Sequence, residues 1–291
     1  MILVGLAISY GVYYWTHLER VPFPLVQREQ FVAFGNAEEM TKRGDRELAA
    51  LVQQMPQLDA NHPVVIKCND IVQQLMNAAR RKANVDPRWS GVYERLKALD
   101  VDVSVMNAPN VATCFTSPSG KIVLFSGMFS SGILHLDTDD ALAAVLGHEL
   151  GHLAARHSLE TASSLCVFPL RPEGYYILLI SSQSLLRWYW WRKKYDFSHT
   201  QELEQEADYI GIMLMANACF DPRGVPSLWQ RMARVHGDVP ENARTIHPPH
   251  KKREQNAERW MNEALDVYHN APCINDPPSH SYLPWFFRVQ H

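Results

Sequence analysis

The residues best suited to chemistry in this chain of 291 are His148-Glu149-Leu150-Gly151-His152. If the stretch is helical, the two histidines, four positions apart, lie on one face and can share a metal ion. Glu149 is rotated off that axis, so its carboxylate reaches a water on the metal rather than the metal itself. The motif extends an apolar, alanine-rich run, Ala141-Leu-Ala-Ala-Val-Leu146. Two imidazoles and a carboxylate would be costly to bury there without purpose. A catalytic zinc takes three protein ligands and keeps a fourth position for water, so a third ligand is needed.

Spacing narrows the search. The pattern His-Glu-x-x-His-x-x-Gly-x-x-His would put a glycine at 155 and a histidine at 158. The chain has Ala155 and Ser158 there, with His157 one position out of register. The other arrangement is His-His-Glu with the glutamate on a later helix, and Glu204-Gln-Glu-Ala-Asp208 supplies it. Glu204 and Asp208 share a helical face, so Glu204 can ligate while Asp208 accepts an imidazole N–H. Glu202 and Glu206 fall on other sides of that helix and read as solvated charges, with Glu202 as the alternative ligand. The expected cofactor is zinc, one ion per chain. Zinc lowers the pKa of its water to about 7, Glu149 is the candidate general base, and peptide carbonyls are the expected target. An oxyanion needs a donor besides zinc, and His247, in Thr245-Ile-His-Pro-Pro249, is the candidate.

The elements that must position these residues can be read from pattern. Asp137 or Thr138 caps a helix running to about Ser158, with Asp139 and Asp140 favourable in its first turn. A helix over about 201–218 carries Glu204. Upstream, Val101, Val103 and Val105 alternate with polar residues as a half-buried strand does. Segments 111–116 and 121–125 flank the turn Ser117-Pro-Ser-Gly120, which together predict a small antiparallel sheet. Helices are expected over 36–55, with Leu48, Leu51 and Val52 on one side, and over 64–82, with Ile66, Ile71, Leu75 and Ala78 as its stripe. Two more follow near 225–235 and 249–269. The predicted class is α+β, mainly helical. The expected division is an apolar segment at 1–20, a metallopeptidase domain at 21–270 and a tail at 271–291.

Composition sets the outer bounds. With 46% hydrophobic and 20% charged residues the chain has the makeup of a folded domain. A net charge of −3 and a pI near 6.5 give no electrostatic case for nucleic acid as a partner. Five widely spaced cysteines without a Cys-x-x-Cys pair argue against a disulfide framework or a cysteine zinc site, and read as free thiols. Met1–Trp15 has no charged side chain and ends in the aromatics Tyr10, Tyr13, Tyr14 and Trp15. That pattern suggests a membrane anchor, whole or truncated. Tyr175–Trp191 is a second apolar stretch, read as membrane-contacting or deeply buried.

Several segments carry a wider likeness. They are His17-Leu-Glu-Arg-Val-Pro22, Gly120-Lys-Ile-Val-Leu-Phe-Ser-Gly127, Val145-Leu-Gly-His-Glu-Leu-Gly-His152, Glu206-Ala-Asp-Tyr-Ile-Gly211 with Met215-Ala-Asn-Ala-Cys219, and Ile246-His-Pro-Pro-His-Lys-Lys-Arg253. In these the chain resembles the gluzincin-type family of prenyl-CAAX endoproteases, HtpX heat-shock proteases and mitochondrial Oma-type proteases. The resemblance implies that Glu204 is the third ligand and that His247 lies near the metal. It implies that Gly120, Lys121, Ile122 and Val123 belong to a strand that binds extended substrate at a sheet edge. It further implies polypeptide substrates drawn from membrane proteins, contact with a lipid bilayer, and a quality-control role at the mitochondrial inner membrane; a homo-oligomer is left open. Thr113-Cys114-Phe115 stands where the family usually has Asn-Ala-Phe, and where it has Ser-Arg there is either Thr200-Gln201, or Ser198-His199 with two extra residues before Glu204. The alternative is a zinc-binding chaperone or scaffold, against which the intact Glu149 counts.

Overall fold

A computed structural model describes residues 2–21, 29–32, 37–129, 136–167, 184–237 and 248–275. In chain order the elements begin with α1 (Ile2–Thr16), β1 (Leu18–Arg20), β2 (Glu29–Phe31), α2 (Ala37–Gln53), α3 (Pro63–Val85) and α4 (Ser90–Lys97). The strands β3 (Asp102–Met106), β4 (Cys114–Thr116) and β5 (Lys121–Phe125) follow, then α5 (Asp139–Ala155) and α6 (His157–Val167). The last helices are α7 (Ser184–Asn217), α8 (Val225–His236) and α9 (His250–His269). The chain is mainly helical with a small sheet beside the metal-site helix, as its pattern predicts.

Local chemistry explains most boundaries. Thr138 caps α5 by accepting from the Ala141 N–H, and Asp139 and Asp140 sit in the positive first turn. His62 caps α3 ahead of Pro63, which needs no hydrogen-bond acceptor at the first helical position. Ile71, Leu75 and Ala78 of α3 are buried as expected, whereas Ile66 is exposed. The helix expected to run to Ser158 is broken instead. Arg156 adopts a left-handed conformation, φ 59°, its N–H bonds to carbonyls of the last turn of α5, and His157 starts α6. The helix expected near 201 begins at Ser184, so Ser184–Trp191 of the second apolar stretch forms its start, and 175–183 lies outside the described residues.

The sheet has the order β3-β5-β4. β4 pairs antiparallel with β5 as predicted, while β3 joins β5 in parallel. Ile122 and Leu124 of β5 face the main core, and Val123 and Phe125 pack from the other face with Leu48 and Val52 of α2. This corrects the reading of Gly120, Lys121, Ile122 and Val123 as an edge strand. From Ile122 to Leu124 β5 is paired on both sides, so its backbone groups already have partners, and it is β4 that has one side without a strand neighbour among the described residues.

Two further expectations are corrected. Among the described residues no helix is long and apolar enough to cross a membrane. α1 has 15 residues, short of the roughly 20 a span requires, and Tyr14 stacks on Phe31 at 5.1 Å instead of serving only as an interfacial aromatic. Membrane association therefore cannot be read from these apolar segments. The free-thiol reading also fails in part. Cys219 and Cys273 are disulfide-bonded, joining the end of α7 to the segment after α9, while Cys68 and Cys114 are free.

Candidate active site

α5 crosses the middle of the molecule and buries residues on nearly every side. Its partner at the site is α7, and the crossing is closed by small residues. A Cβ on Gly151 would stand 2.6 Å from the Ala207 carbonyl oxygen, and one on Gly147 would stand 2.9 Å from that of Gly211. In return, a Cβ on Gly211 would lie 2.7 Å from the His148 nitrogen. Any side chain at these positions would force the backbones apart. Their absence lets Glu204, one turn along α7, reach the two histidines of α5.

The geometry is that of a closed donor set. The Nε2 atoms of His148 and His152 are 3.1 Å apart. Glu204 lies 3.6 Å from His148 Nε2 and 3.4 Å from His152 Nε2. Ligand atoms of all three residues fall within 4.8 Å of one another. Outward contacts decide which ring nitrogens carry protons. His148 Nδ1 is 2.9 Å from the Asp208 carboxylate, with the Arg253 guanidinium 3.1 Å from the same nitrogen; the tautomer with its hydrogen on Nδ1 satisfies Asp208 and leaves a lone pair on Nε2. His152 Nδ1 is 2.8 Å from His157 Nδ1, and His157 Nε2 is 3.1 Å from Glu206. Two inward lone pairs beside a buried carboxylate repel one another, and a divalent cation turns that conflict into coordination. The residues therefore fit zinc, which prefers imidazole nitrogen and carboxylate oxygen in a small tetrahedral set.

Charges around the set are matched from outside. Arg253 of α9 is 4% exposed, donates from Nε to Asp208 at 2.7 Å and lies over the Trp229 ring at 3.6 Å. Burial alone would raise the Asp208 pKa, but the Arg253 charge and hydrogen bond, with His148, hold it below the usual carboxylate range. Burial alone would lower the His152 pKa, and the neighbouring Glu204 carboxylate reverses the direction and raises it. His157 goes the other way. Burial pushes it down to about 4 against the pull of Glu206, so it stays neutral at physiological pH. Glu149 is buried beside Cys114 of β4, whose thiol is driven well up by burial and by the Glu149 charge.

The structure thus brings together His148, His152, Glu204 and Asp208 as the spacing predicts, with Glu149 alongside. Glu202 is exposed and takes no part. Glu206, read as a solvated charge, is 2% exposed and bound to His157, the first residue of α6 after the turn at Arg156. His247 lies outside the described residues. Arg253 belongs to the segment quoted for its likeness, yet nothing in its spacing tied it to Asp208. A cavity of about 400 Å³ opens beside His152, with Arg95, Arg156 and Pro118 on its walls.

A family comparison fits this geometry. The model for peptidase family M48 matches residues 80–261, well over half of the chain and all three ligands. The chain belongs to peptidase family M48. As an M48 peptidase with a His-His-Glu zinc set it is a zinc-dependent endopeptidase, binding one zinc and acting on polypeptides. Among its relatives is the mitochondrial metalloendopeptidase OMA1 of Saccharomyces cerevisiae, 28% identical over 92% of this chain and 77% of that protein. The Arabidopsis thaliana protein of the same name is 31% identical over 67% of this chain and 38% of its own length. The beta-barrel assembly-enhancing protease of Escherichia coli is 28% identical over 50% of this chain and 31% of that protein. This M48 chain is similar to both kinds.

Proposed function

We propose that this M48 chain is an Oma-type processing peptidase that cleaves extended polypeptide segments, with Glu149 as its general base. When zinc is bound by His148, His152 and Glu204 it supplies Lewis-acid activation of a water and of the scissile carbonyl. Glu149 takes the proton from that water and passes it to the leaving amine nitrogen. Asp208, itself held by Arg253, keeps His148 in the tautomer that presents Nε2 inward. His247 is the proposed donor to the oxyanion, a role that rests on its His-Pro motif.

The side of β4 that has no strand neighbour among the described residues offers extended substrate a strand to join. Support comes from Cys114, which lies on β4 and against Glu149, so a chain added there would run past the base. The cavity beside His152 gives room for a substrate side chain. The long alignment to the yeast protein named OMA1, covering 92% of this chain, supports the Oma-type assignment over the shorter bacterial match.

The observation that carries the enzymatic reading is the convergence of two inward imidazole lone pairs and a carboxylate, one residue from a buried glutamate. The test compares the wild type with Glu149→Gln on an unstructured polypeptide while zinc content is measured. Zinc should stay bound in the variant while cleavage falls by about 10²–10⁴. Equal turnover by both proteins would remove Glu149 from the mechanism.

A further inference from the structure

Both zinc-binding histidines need their outward nitrogens satisfied, and the two solutions differ. His148 has a carboxylate, Asp208, at 2.9 Å. His152 has a second imidazole, that of His157, at 2.8 Å between the two Nδ1 atoms. Only one of two facing ring nitrogens can carry the hydrogen. Glu206 selects which, because its carboxylate oxygen lies 3.1 Å from His157 Nε2 and serves there as the acceptor. His157 must therefore place its hydrogen on Nε2 and present a bare Nδ1. His152 must in turn donate from Nδ1, and its own lone pair is left on Nε2, on the side of Glu204 and His148.

We propose that His157 and Glu206 form a second positioning arm of the zinc centre, in which Glu206 sets the tautomer of His157 and His157 sets that of His152. His157 touches neither zinc nor substrate, so it acts through His152. Burial favours this role over a surface ion pair, since His157 is 3% and Glu206 is 2% exposed. The fold supplies the arm through one backbone event. The left-handed turn at Arg156 ends α5 and starts α6 at His157, which brings the imidazole back beside the helix it has just left. A continued helix would have carried position 157 round to a different side. The inference rests on the His148, His152 and Glu204 zinc site of the proposed function.

The test uses the full chain in a Glu149→Gln background, in which the proposed general base is absent, and reads zinc affinity by competition with a chromophoric chelator. Melting of the metal-free proteins is followed in parallel. His157→Phe keeps the ring volume and removes the acceptor; zinc affinity should fall by about 10–100-fold. His157→Asn places a carbonyl oxygen close to where Nδ1 stood, so affinity should return to within about threefold of the parent. Loss of packing alone would not be rescued by the smaller, polar asparagine. If His157→Asn binds zinc as weakly as His157→Phe, or His157→Phe binds as tightly as the parent, the arm is wrong. Should His157→Phe fail to fold, the asparagine variant against the parent still decides: a loss beyond tenfold overturns the proposal. A parent that binds no zinc would instead overturn the metal site itself, which separates the two failures.

Discussion

Gly151 and Ala207 touch backbone to backbone: a Cβ added at Gly151 would stand 2.6 Å from the Ala207 carbonyl oxygen and 2.9 Å from the Ala207 Cα. Neither contact can be relieved by a side-chain rotation, since both involve main chain. Gly151→Ala should therefore separate α5 from α7 and cost about 1–3 kcal/mol, as overpacking does, even though alanine is the better helix former. Because Glu204 is carried by α7, zinc affinity should fall with stability. Gly224→Ala, at a position with nothing within 4 Å of the added atom, is the control and should stay within about 0.5 kcal/mol. Thermal melts and zinc titration of both variants check this, and an undisturbed Gly151→Ala protein would contradict it.

Arg253 and Asp208 form the buried pair behind His148. Arg253→Met leaves the Asp208 carboxylate buried without its cation, which should destabilise the protein by about 3–5 kcal/mol. Arg253→Lys keeps the charge but cannot reproduce the planar guanidinium that serves both carboxylate oxygens and covers Trp229. It should fall between wild type and the methionine variant in urea unfolding. A lysine variant as stable as wild type would show that charge alone suffices.

The low pKa of His157 carries a sign for pH dependence. Its folded value is about 4 against an ordinary 6.5, so the neutral form is favoured by folding. The stability it contributes is fully present above about 6.5 and is lost as pH falls toward 4, where the folded protein would otherwise take up the proton. The limiting slope is about 1.4 kcal/mol per pH unit for one proton. Unfolding of the metal-free protein measured from pH 7 to pH 4.5 should show this loss. The His157→Asn protein should show a shallower slope, and identical slopes would assign the effect elsewhere.

The Cys219–Cys273 disulfide spans a separation of 54 residues and ties the end of α7 to the segment that follows α9. Closing a loop of that size is worth roughly 2–4 kcal/mol through the unfolded state. Cys273→Ser, or reduction of the wild type, should lower the melting temperature. Zinc content should hold, because Glu204 lies about four turns of helix before Cys219 and the other two ligands are on α5. Concurrent loss of zinc would show that the tether reaches the site.

Much of the metal site was determined by the sequence alone, for a local reason. Residues four apart on a helix share a face whatever surrounds them, so His148 with His152, and Glu204 with Asp208, were legible from spacing. The cap at Thr138, the three strands and the buried face of α3 follow from equally local rules of hydrogen bonding and periodicity. What the spacing could not decide was which sides of α7 would be covered. Glu204 and Glu206 project differently: Glu204 meets the histidines of α5, and Glu206 meets His157, placed by the turn at Arg156. The central position of β5 depends on β3 joining it in parallel, with β4 crossing to its other side. Arg253 lies 45 residues from Asp208, and Cys219 is 54 from Cys273. Such contacts depend on how whole elements pack, and packing here was set by the bare backbone surfaces of Gly147, Gly151 and Gly211, where missing side chains, which leave no pattern of charge or hydropathy to read, brought two helices close enough to share one metal.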